Sequence, residues 1–208
     1  MLSSIRRKII FAITVPVLIL STTFLFARAS RLEKVTEQRT QLELQEMGSS
    51  QAQRFDLALK GMAAVAESMA NFLETHPDIT EEQAYELLRR NTLQNPAIYG
   101  AALAFEPNTF PGRRLYCPYV CRGAQGMGRR DAKLQQIDIA KVYDYTRWQW
   151  YLAPKRDKKG VWVPPYFDKG AGNIVMSTFS MPFYHKGKLR GVTTVDIALP
   201  VLNHTLEW

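Results

Sequence analysis

The sequence has few of the residues that build metal centres and redox sites. Its 208 residues include two cysteines, Cys117 and Cys121, and three histidines that lie far apart. A C-x3-C pair without further Cys or His ligands does not fit a zinc site. P-loop, H-E-x-x-H and G-x-S-x-G motifs are also missing. We therefore expect no metal, no cofactor and no catalytic activity in this chain.

The two cysteines leave the question of a disulfide open. On an extended strand, residues i and i+4 lie about 13 Å apart, which is too far for a disulfide. Pro118 follows Cys117 and could bend the segment enough to close the bond. Cysteine usage therefore does not decide the redox compartment.

Acidic residues are missing from the N-terminal segment, where the first is Glu33. Three basic residues at positions 6–8 precede a stretch without a charge at 9–27. As a helix, this stretch would rise about 28 Å, close to the hydrocarbon thickness of a bilayer. A cleaved signal peptide usually has a shorter apolar region, of about 7–15 residues. We expect a transmembrane helix at 9–27, with residues 1–8 in the cytoplasm and the remainder in the periplasm or outside the cell.

The net charge of +8 does not indicate a nucleic-acid partner. A nucleic-acid surface needs a continuous basic stripe and a recognisable reading module. After the N-terminal segment, the basic residues are scattered in pairs and one short loop. This distribution is typical of solvated loops that face an anionic membrane or cell surface.

One long helix is predicted after the anchor, because no proline occurs between residues 28 and 74. Its second half carries an apolar stripe at spacings of three and four residues, which predicts packing against a sheet. That stripe consists of Phe55, Leu59, Met62, Ala66, Met69 and Leu73. The first half is more charged, as in a stalk, and suits helix-to-helix contact in a homodimer.

The region 75–208 predicts an α+β domain. His76-Pro77 ends the long helix, and Thr80 with Gln83 signals a second helix that runs to about Leu93. Apolar runs at 99–105 and 115–120 suit buried strands. Strands at 173–184 and 188–199 would form a hairpin with a three-residue loop. This order favours a curved antiparallel sheet with helices on one side.

Residues 143–168 combine aromatic and acidic side chains with prolines, glycines and a charged loop. Such a segment should border a cavity more than fill a core. The runs YDYTRWQWYLAPK (143–155) and VWVPPYFDKGAGNIVMSTFSMPFYHKGKLRGVTTVDIAL (161–199) resemble the membrane-distal module of double Cache domains. These domains are PAS-like extracytoplasmic sensors of bacterial chemoreceptors, histidine kinases, cyclic-di-nucleotide enzymes and serine phosphatases. The resemblance implies a second module and an output domain beyond Trp208.

The resemblance also implies a ligand-binding site. Its pocket motif matches Tyr143, Trp150, Tyr151, Tyr166, Asp168 and Asp196. Where amino-acid-binding members place the Arg that holds the ligand carboxylate, this sequence has Trp148. Arg147 is adjacent, but neighbouring residues on a strand point in opposite directions.

Two ligand classes and one alternative function follow from these residues. Aromatic faces attract ammonium groups, and carboxylates add charge-assisted hydrogen bonds. A small amine is therefore at least as well suited as an amino acid. A turn cap at Asp168 and a pairing within the sheet at Asp196 would explain both residues without a ligand. In that case the chain would be a membrane-tethered structural or protein-interaction module.

Overall fold

The computed structural model describes residues 2–123, 126, 129 and 133–199, without the side chains of 2–14, 27 and 29–38. Three α-helices lie in this part of the chain: α1 (Leu2–Thr75), α2 (Glu81–Gln94) and α3 (Gln149–Asp157). Its strands are β1 (Gly100–Phe105), β2 (Pro118–Cys121), β3 (Gln135–Asp138), β4 (Val161–Phe167), β5 (Val175–His185) and β6 (Lys188–Ala198).

The chain divides into two units, residues up to 53 and residues from 54 onward. The first unit is part of α1, and its described apolar side chains, such as Leu20 and Phe24, are exposed. Among the described residues, no helical stretch of the length needed to cross a membrane is apolar enough to do so. The span predicted at 9–27 includes residues 9–14 and 27, whose side chains lie outside the described ones.

In the second unit, α1 packs on the sheet through the predicted apolar stripe. Met62, Met69 and Leu73 are buried in one cluster with residues of β1, β5 and β6. The Thr193 hydroxyl on β6 donates a hydrogen bond to the Ala66 carbonyl of α1 at 2.9 Å. From Leu59 to Leu73 the stripe is therefore confirmed as the face of α1 that covers the sheet, whereas the half-buried Phe55 is not part of this cluster.

Helix α2 begins with the predicted capping box. The Gln83 backbone N–H donates to Thr80 Oγ1 at 3.3 Å, and the Thr80 N–H donates to Gln83 Oε1 at 2.9 Å. These two bonds satisfy backbone donors that the first turn leaves free. Ala84 and Leu88 then face the same core as α1.

The sheet is antiparallel with the order β3-β2-β1-β6-β5-β4. Side chains alternate between its two faces. On β6, Val195 and Ile197 face the core formed with α1 and α2, whereas Val192 and Ala198 belong to a second cluster on the opposite face. Helix α3 and a group of Tyr and Trp side chains cover that second face. The predicted α+β antiparallel fold is confirmed, but helices cover both faces instead of one.

The β5–β6 hairpin has a shorter loop than predicted. His185 pairs with Lys188, so the loop has two residues, Lys186 and Gly187. Their φ angles are 48° and 74°. Two consecutive positive φ values fit a type I′ turn, whose twist matches that of the flanking strands. The three-residue loop was wrong because β5 continues through His185.

Candidate ligand-binding site

A small cavity lies on the sheet face opposite α1 and α2. Its volume is about 10 Å³, which is space for roughly one water molecule. Its walls come from four strands, from helix α3 and from the turns that cover them. They are formed by Ala102, Tyr119, Ile139, Tyr143, Trp150, Tyr166, Asp168, Thr194 and Asp196. None of these residues is a lysine, arginine or histidine.

Asp196 enters the cavity from β6 and is only 4% exposed. The Thr178 hydroxyl on β5 donates to Asp196 Oδ1 at 2.7 Å, and the Tyr166 hydroxyl on β4 lies 2.9 Å from Thr178 Oγ1. Burial raises the pKa of Asp196 to about 7, and the negative charge of Asp168 adds to this shift. The hydrogen bond from Thr178 opposes it. The carboxyl group therefore titrates near neutral pH.

Asp168 follows β4 and is 3% exposed. It accepts hydrogen bonds from one side chain and from one backbone N–H group. The Tyr143 hydroxyl donates to its Oδ1 at 2.8 Å, and the Gly172 N–H donates to its Oδ2 at 2.6 Å. The second bond ties the turn between β4 and β5, as the structural alternative predicted. Asp168 thus holds a turn and also faces the cavity.

Two buried polar atoms at the cavity have no hydrogen-bond partner among the described residues: Tyr119 Oη and Trp150 Nε1. The Tyr119 ring crosses β1 above Gly100, where an added Cβ would lie 2.5 Å from Tyr119 Oη. Gly100 pairs with Asp196 in the sheet, and the Tyr119 hydroxyl lies close enough to lower the pKa of Asp196 slightly. Unpaired buried polar groups are costly, so both atoms are suited to a bound molecule.

Five of the seven residues predicted to bind a ligand line the cavity, and Trp148 and Tyr151 do not. Trp148 is the N-cap residue of α3. Its ring lies 4.9 Å from the Tyr143 ring and 5.9 Å from the Tyr166 ring, between centroids. We call Tyr143, Trp148 and Tyr166 the aromatic lid. Trp148 is therefore an outer part of this lid.

The assumption that Arg147 and Trp148 lie on a strand was wrong. Arg147 ends a 3-10 turn, Tyr145–Arg147, just before α3. Its side chain is 85% exposed and pairs with Asp144 at 3.4 Å. No guanidinium group among the described residues therefore lines the cavity.

Tyr151 lies in the aromatic core below α3, away from the cavity walls. Its hydroxyl donates to Glu106, which also binds Lys155. The Lys155 ammonium lies 4.5 Å from the centroid of the Tyr151 ring. These contacts give Tyr151 a structural role between α3 and the end of β1.

The two cysteines are free and buried. Cys117 precedes β2 and Cys121 ends it. Burial raises the pKa of both thiols, which therefore stay protonated at neutral pH. The described residues also contain no group of three or more side chains that could hold a metal ion.

Comparison with known families identifies residues 84–204 as a methyl-accepting chemotaxis protein-like, first PDC sensor domain. This match covers more than half of the chain. A comparison with curated protein sequences gave no significant match.

Solved structures with a similar fold are also sensor domains. The extracellular domain of a candidate histidine kinase, soHK1S-Z6, has 32% identity and a TM-score of 0.64 over 76% of this chain. The ligand-binding domain of the Pseudomonas aeruginosa chemoreceptor PctC, solved with GABA, has 20% identity and a TM-score of 0.54 over 77% of this chain. The ligand-binding domain of the Campylobacter jejuni chemoreceptor Tlp3, solved with L-valine, has 21% identity and a TM-score of 0.53 over 76% of this chain.

The chain spans 59%, 65% and 58% of these three solved chains, less than two thirds of each. The two chemoreceptor domains share the fold at low sequence identity, whereas the kinase domain is also similar in sequence. Together with the family match, these findings show that the chain belongs to the methyl-accepting chemotaxis protein-like first PDC sensor domains and is homologous to extracellular domains of signal-transduction receptors.

Proposed function

We propose that the cavity binds the cationic group of a small amine or amino acid through Asp168 and Asp196. One observation carries the proposal: two buried carboxyl groups face a cavity that no basic side chain of the described residues lines. Buried carboxylates are costly without a positive partner. An ammonium group would supply that positive charge. It would also make cation–π contacts with the surrounding aromatic rings, each of which contributes about 2 kcal/mol when desolvated.

The site favours ligands in which the cation is the main recognition feature. The side chain of Arg147 is directed into solvent, so it offers no bidentate clamp for a carboxylate. An amino-acid carboxylate would instead meet neutral donors, and two of these, Trp150 Nε1 and the Tyr119 hydroxyl, have no partner within the described residues. The fold neighbours solved with GABA and L-valine carry ligands with an amino group. We therefore propose amines first and amino acids second.

Ligand entry requires the aromatic lid to move. The cavity holds about 10 Å³, whereas even methylammonium has two heavy atoms and needs more space than one water. Tyr143 and Tyr166 form its walls, and Trp148 packs on both from outside. A shift of these three rings would enlarge the cavity without breaking the sheet. Ligand binding would then select the open arrangement of the lid.

We place this module in a transmembrane receptor. In this proposal, residues 1–8 are cytoplasmic and 9–27 cross the inner membrane. Residues 28–74 form the stalk and long helix, whose first half contacts its mate in a homodimer, and 75–208 form the membrane-distal module of a double Cache sensor. The family description as a first sensor domain supports this arrangement. A chemoreceptor, kinase or phosphatase output would lie beyond the chain. A reporter fused after Trp208 should be active in the periplasm, and activity in the cytoplasm alone would contradict the topology.

A thermal-shift screen of the purified chain tests the ligand class. Methylammonium, γ-aminobutyrate and L-valine should each raise the melting temperature with concentration, as mass action requires. Asp196→Asn removes the charge and keeps the shape. Since a hydrogen bond to a charged group contributes about 1.5–3 kcal/mol, affinity should fall about tenfold to a hundredfold. Asp56→Asn changes an exposed carboxylate on α1 and is the matched control.

A flat response to a broad panel of amines and amino acids would contradict this proposal. It would favour the alternative function, a structural or protein-interaction module whose aromatic residues form an ordinary core. Unchanged affinity in a folded Asp196→Asn protein would reject the assignment of this carboxyl group. A preference for ligands without an amino group would reject the amine class and leave the sensor function in place.

A further inference from the structure

The titratable side chains packed around Asp196 are carboxyl, phenol and thiol groups. The titratable groups around it are Asp168, Tyr99, Cys117, Tyr119, Cys121, Tyr143 and Tyr166. None of them is basic, and in the part of the chain that the structure describes no basic residue lines the cavity. Two carboxylates that share a small buried site without a cation repel each other, so one of them favours the protonated form.

The hydrogen bonds distinguish the two carboxyl groups. Asp168 accepts from the Tyr143 hydroxyl on one oxygen and from the Gly172 N–H on the other. A backbone N–H can only donate, so the Asp168 oxygen that meets Gly172 acts as an acceptor, and both oxygens of Asp168 already have partners. Asp196 is bonded to the Thr178 hydroxyl, which can donate or accept and is itself linked to Tyr166. Asp196 is therefore the better position for a proton.

We propose that Asp196 carries a proton while the cavity is empty and releases it to solvent when a cationic ligand binds. This inference rests on the proposed function and adds the regulation of the same site. No covalent bond of the ligand changes: the ammonium group enters, one proton leaves, and the net charge of the site stays the same. The receptor would then respond to an amine more strongly in alkaline than in acidic surroundings.

Tyr119 is the group that can serve both states of Asp196. Its hydroxyl is buried and has no hydrogen-bond partner among the described side chains, and Gly100 leaves the space that it occupies. A phenol accepts a hydrogen bond from a protonated carboxyl group and donates one to a carboxylate. Tyr119 is therefore a positioning residue for the exchange. In Tyr119→Phe, Asp196 loses a nearby hydroxyl that lowers its pKa, so its titration should move to higher pH.

The proton on Asp196 can be measured directly in the full chain without a ligand. Infrared difference spectroscopy should show a protonated carboxyl band that disappears as the pH rises from 6 to 8. Asp196→Asn should lack this band, and Asp56→Asn should keep it. An Asp196 carboxyl that is already ionised at pH 5 would overturn the inference, because no proton would remain to be released. Tyr119→Phe gives a second folded variant whose band should persist to higher pH.

Calorimetry with methylammonium chloride then tests the exchange. Titrations in buffers of different ionisation enthalpy should show about one proton released per cation bound at pH 6 and almost none at pH 8.5. Apparent affinity should rise about tenfold between pH 6 and pH 8 in the parent and stay constant in Asp196→Asn. Binding without proton release at pH 6 overturns the exchange alone. If the Asp196 carboxyl band titrates as expected but no amine changes that titration, the proposed function is wrong. The proton exchange is then wrong as well.

Discussion

Asp196→Asn should stabilise the empty protein at alkaline pH. The pKa of Asp196 is raised by burial from 3.8 to about 7 in the folded chain. A raised carboxyl pKa means that the folded state binds more protons than the unfolded state between about pH 4 and pH 7. The contribution of Asp196 to the free energy of unfolding is therefore greatest below about pH 4, falls as the pH rises from about 4 to about 7, and levels off above that. An asparagine does not titrate, so the variant should keep its stability over this range.

The magnitude follows from the size of the shift. A shift of about three pH units corresponds to roughly 4 kcal/mol above pH 8, and structural relaxation should reduce this to roughly 2–4 kcal/mol. The Asn oxygen can still accept from the Thr178 hydroxyl, and its amide can donate to the unpartnered Tyr119 hydroxyl. The substitution therefore leaves no new unpaired group.

Melting temperatures at pH 5 and pH 8.5 provide the assay. For a chain of this size, 1 kcal/mol corresponds to roughly 2–4 °C. The melting-temperature advantage of Asp196→Asn over the parent should be several degrees larger at pH 8.5 than at pH 5. Asp56→Asn should show the same small difference at both values. An Asp196→Asn protein that is less stable than the parent at pH 8.5 would refute the reasoning.

Three further substitutions test other parts of the structure. Gly100→Ala places a Cβ 2.5 Å from Tyr119 Oη; it should cost about 1–3 kcal/mol of stability, measured by denaturant unfolding, and weaken the thermal shift with methylammonium. Thr80→Ala removes the capping box of α2 and should cost about 1 kcal/mol in the same unfolding assay, with unchanged ligand affinity. Trp148→Arg should move preference from methylammonium toward L-valine in calorimetry, because a guanidinium can hold a carboxylate by two bonds.

Local sequence signals predicted the elements whose stabilising contacts are also local. The stripe from Leu59 to Leu73 follows from helical periodicity, and the Thr80–Gln83 capping box from a four-residue motif. The β5–β6 hairpin follows from two β-rich runs around Lys186-Gly187. Each of these signals lies within a short segment of the sequence, so it can be read without knowing which segments pack together in the fold.

Helix α3 and strand β4 were not predicted because tertiary contacts override their local signals. Helix α3 begins at Trp148 without a side-chain cap and contains Pro154, which normally opposes a helix. It forms because Trp150 and Tyr151 are buried against the sheet. Strand β4 contains two prolines, but it is an edge strand with an irregular register between Val163 and Tyr166, where prolines are tolerated.

The cavity could be predicted only in part. The motif resemblance identified Asp168, Asp196 and several aromatic residues, yet it did not identify Tyr119. That residue lies on β2, and only the pairing of β1 with both β2 and β6 brings it to Asp196. The available signal was Gly100, because an isolated glycine in a buried strand often marks the close approach of another group.

The two carboxyl groups should respond differently to loss of charge, and this contrast separates structure from function. Asp168 binds the Gly172 N–H and the Tyr143 hydroxyl, so the turn after β4 depends on it. Asp168→Asn should therefore cost about 1.5–3 kcal/mol of stability at pH 8.5. No turn or cap depends on Asp196, and Asp196→Asn should gain stability under the same conditions. Denaturant unfolding of the two variants measures both changes. If both substitutions destabilise the empty chain equally, Asp196 is a structural residue and the cavity loses its strongest argument for a ligand.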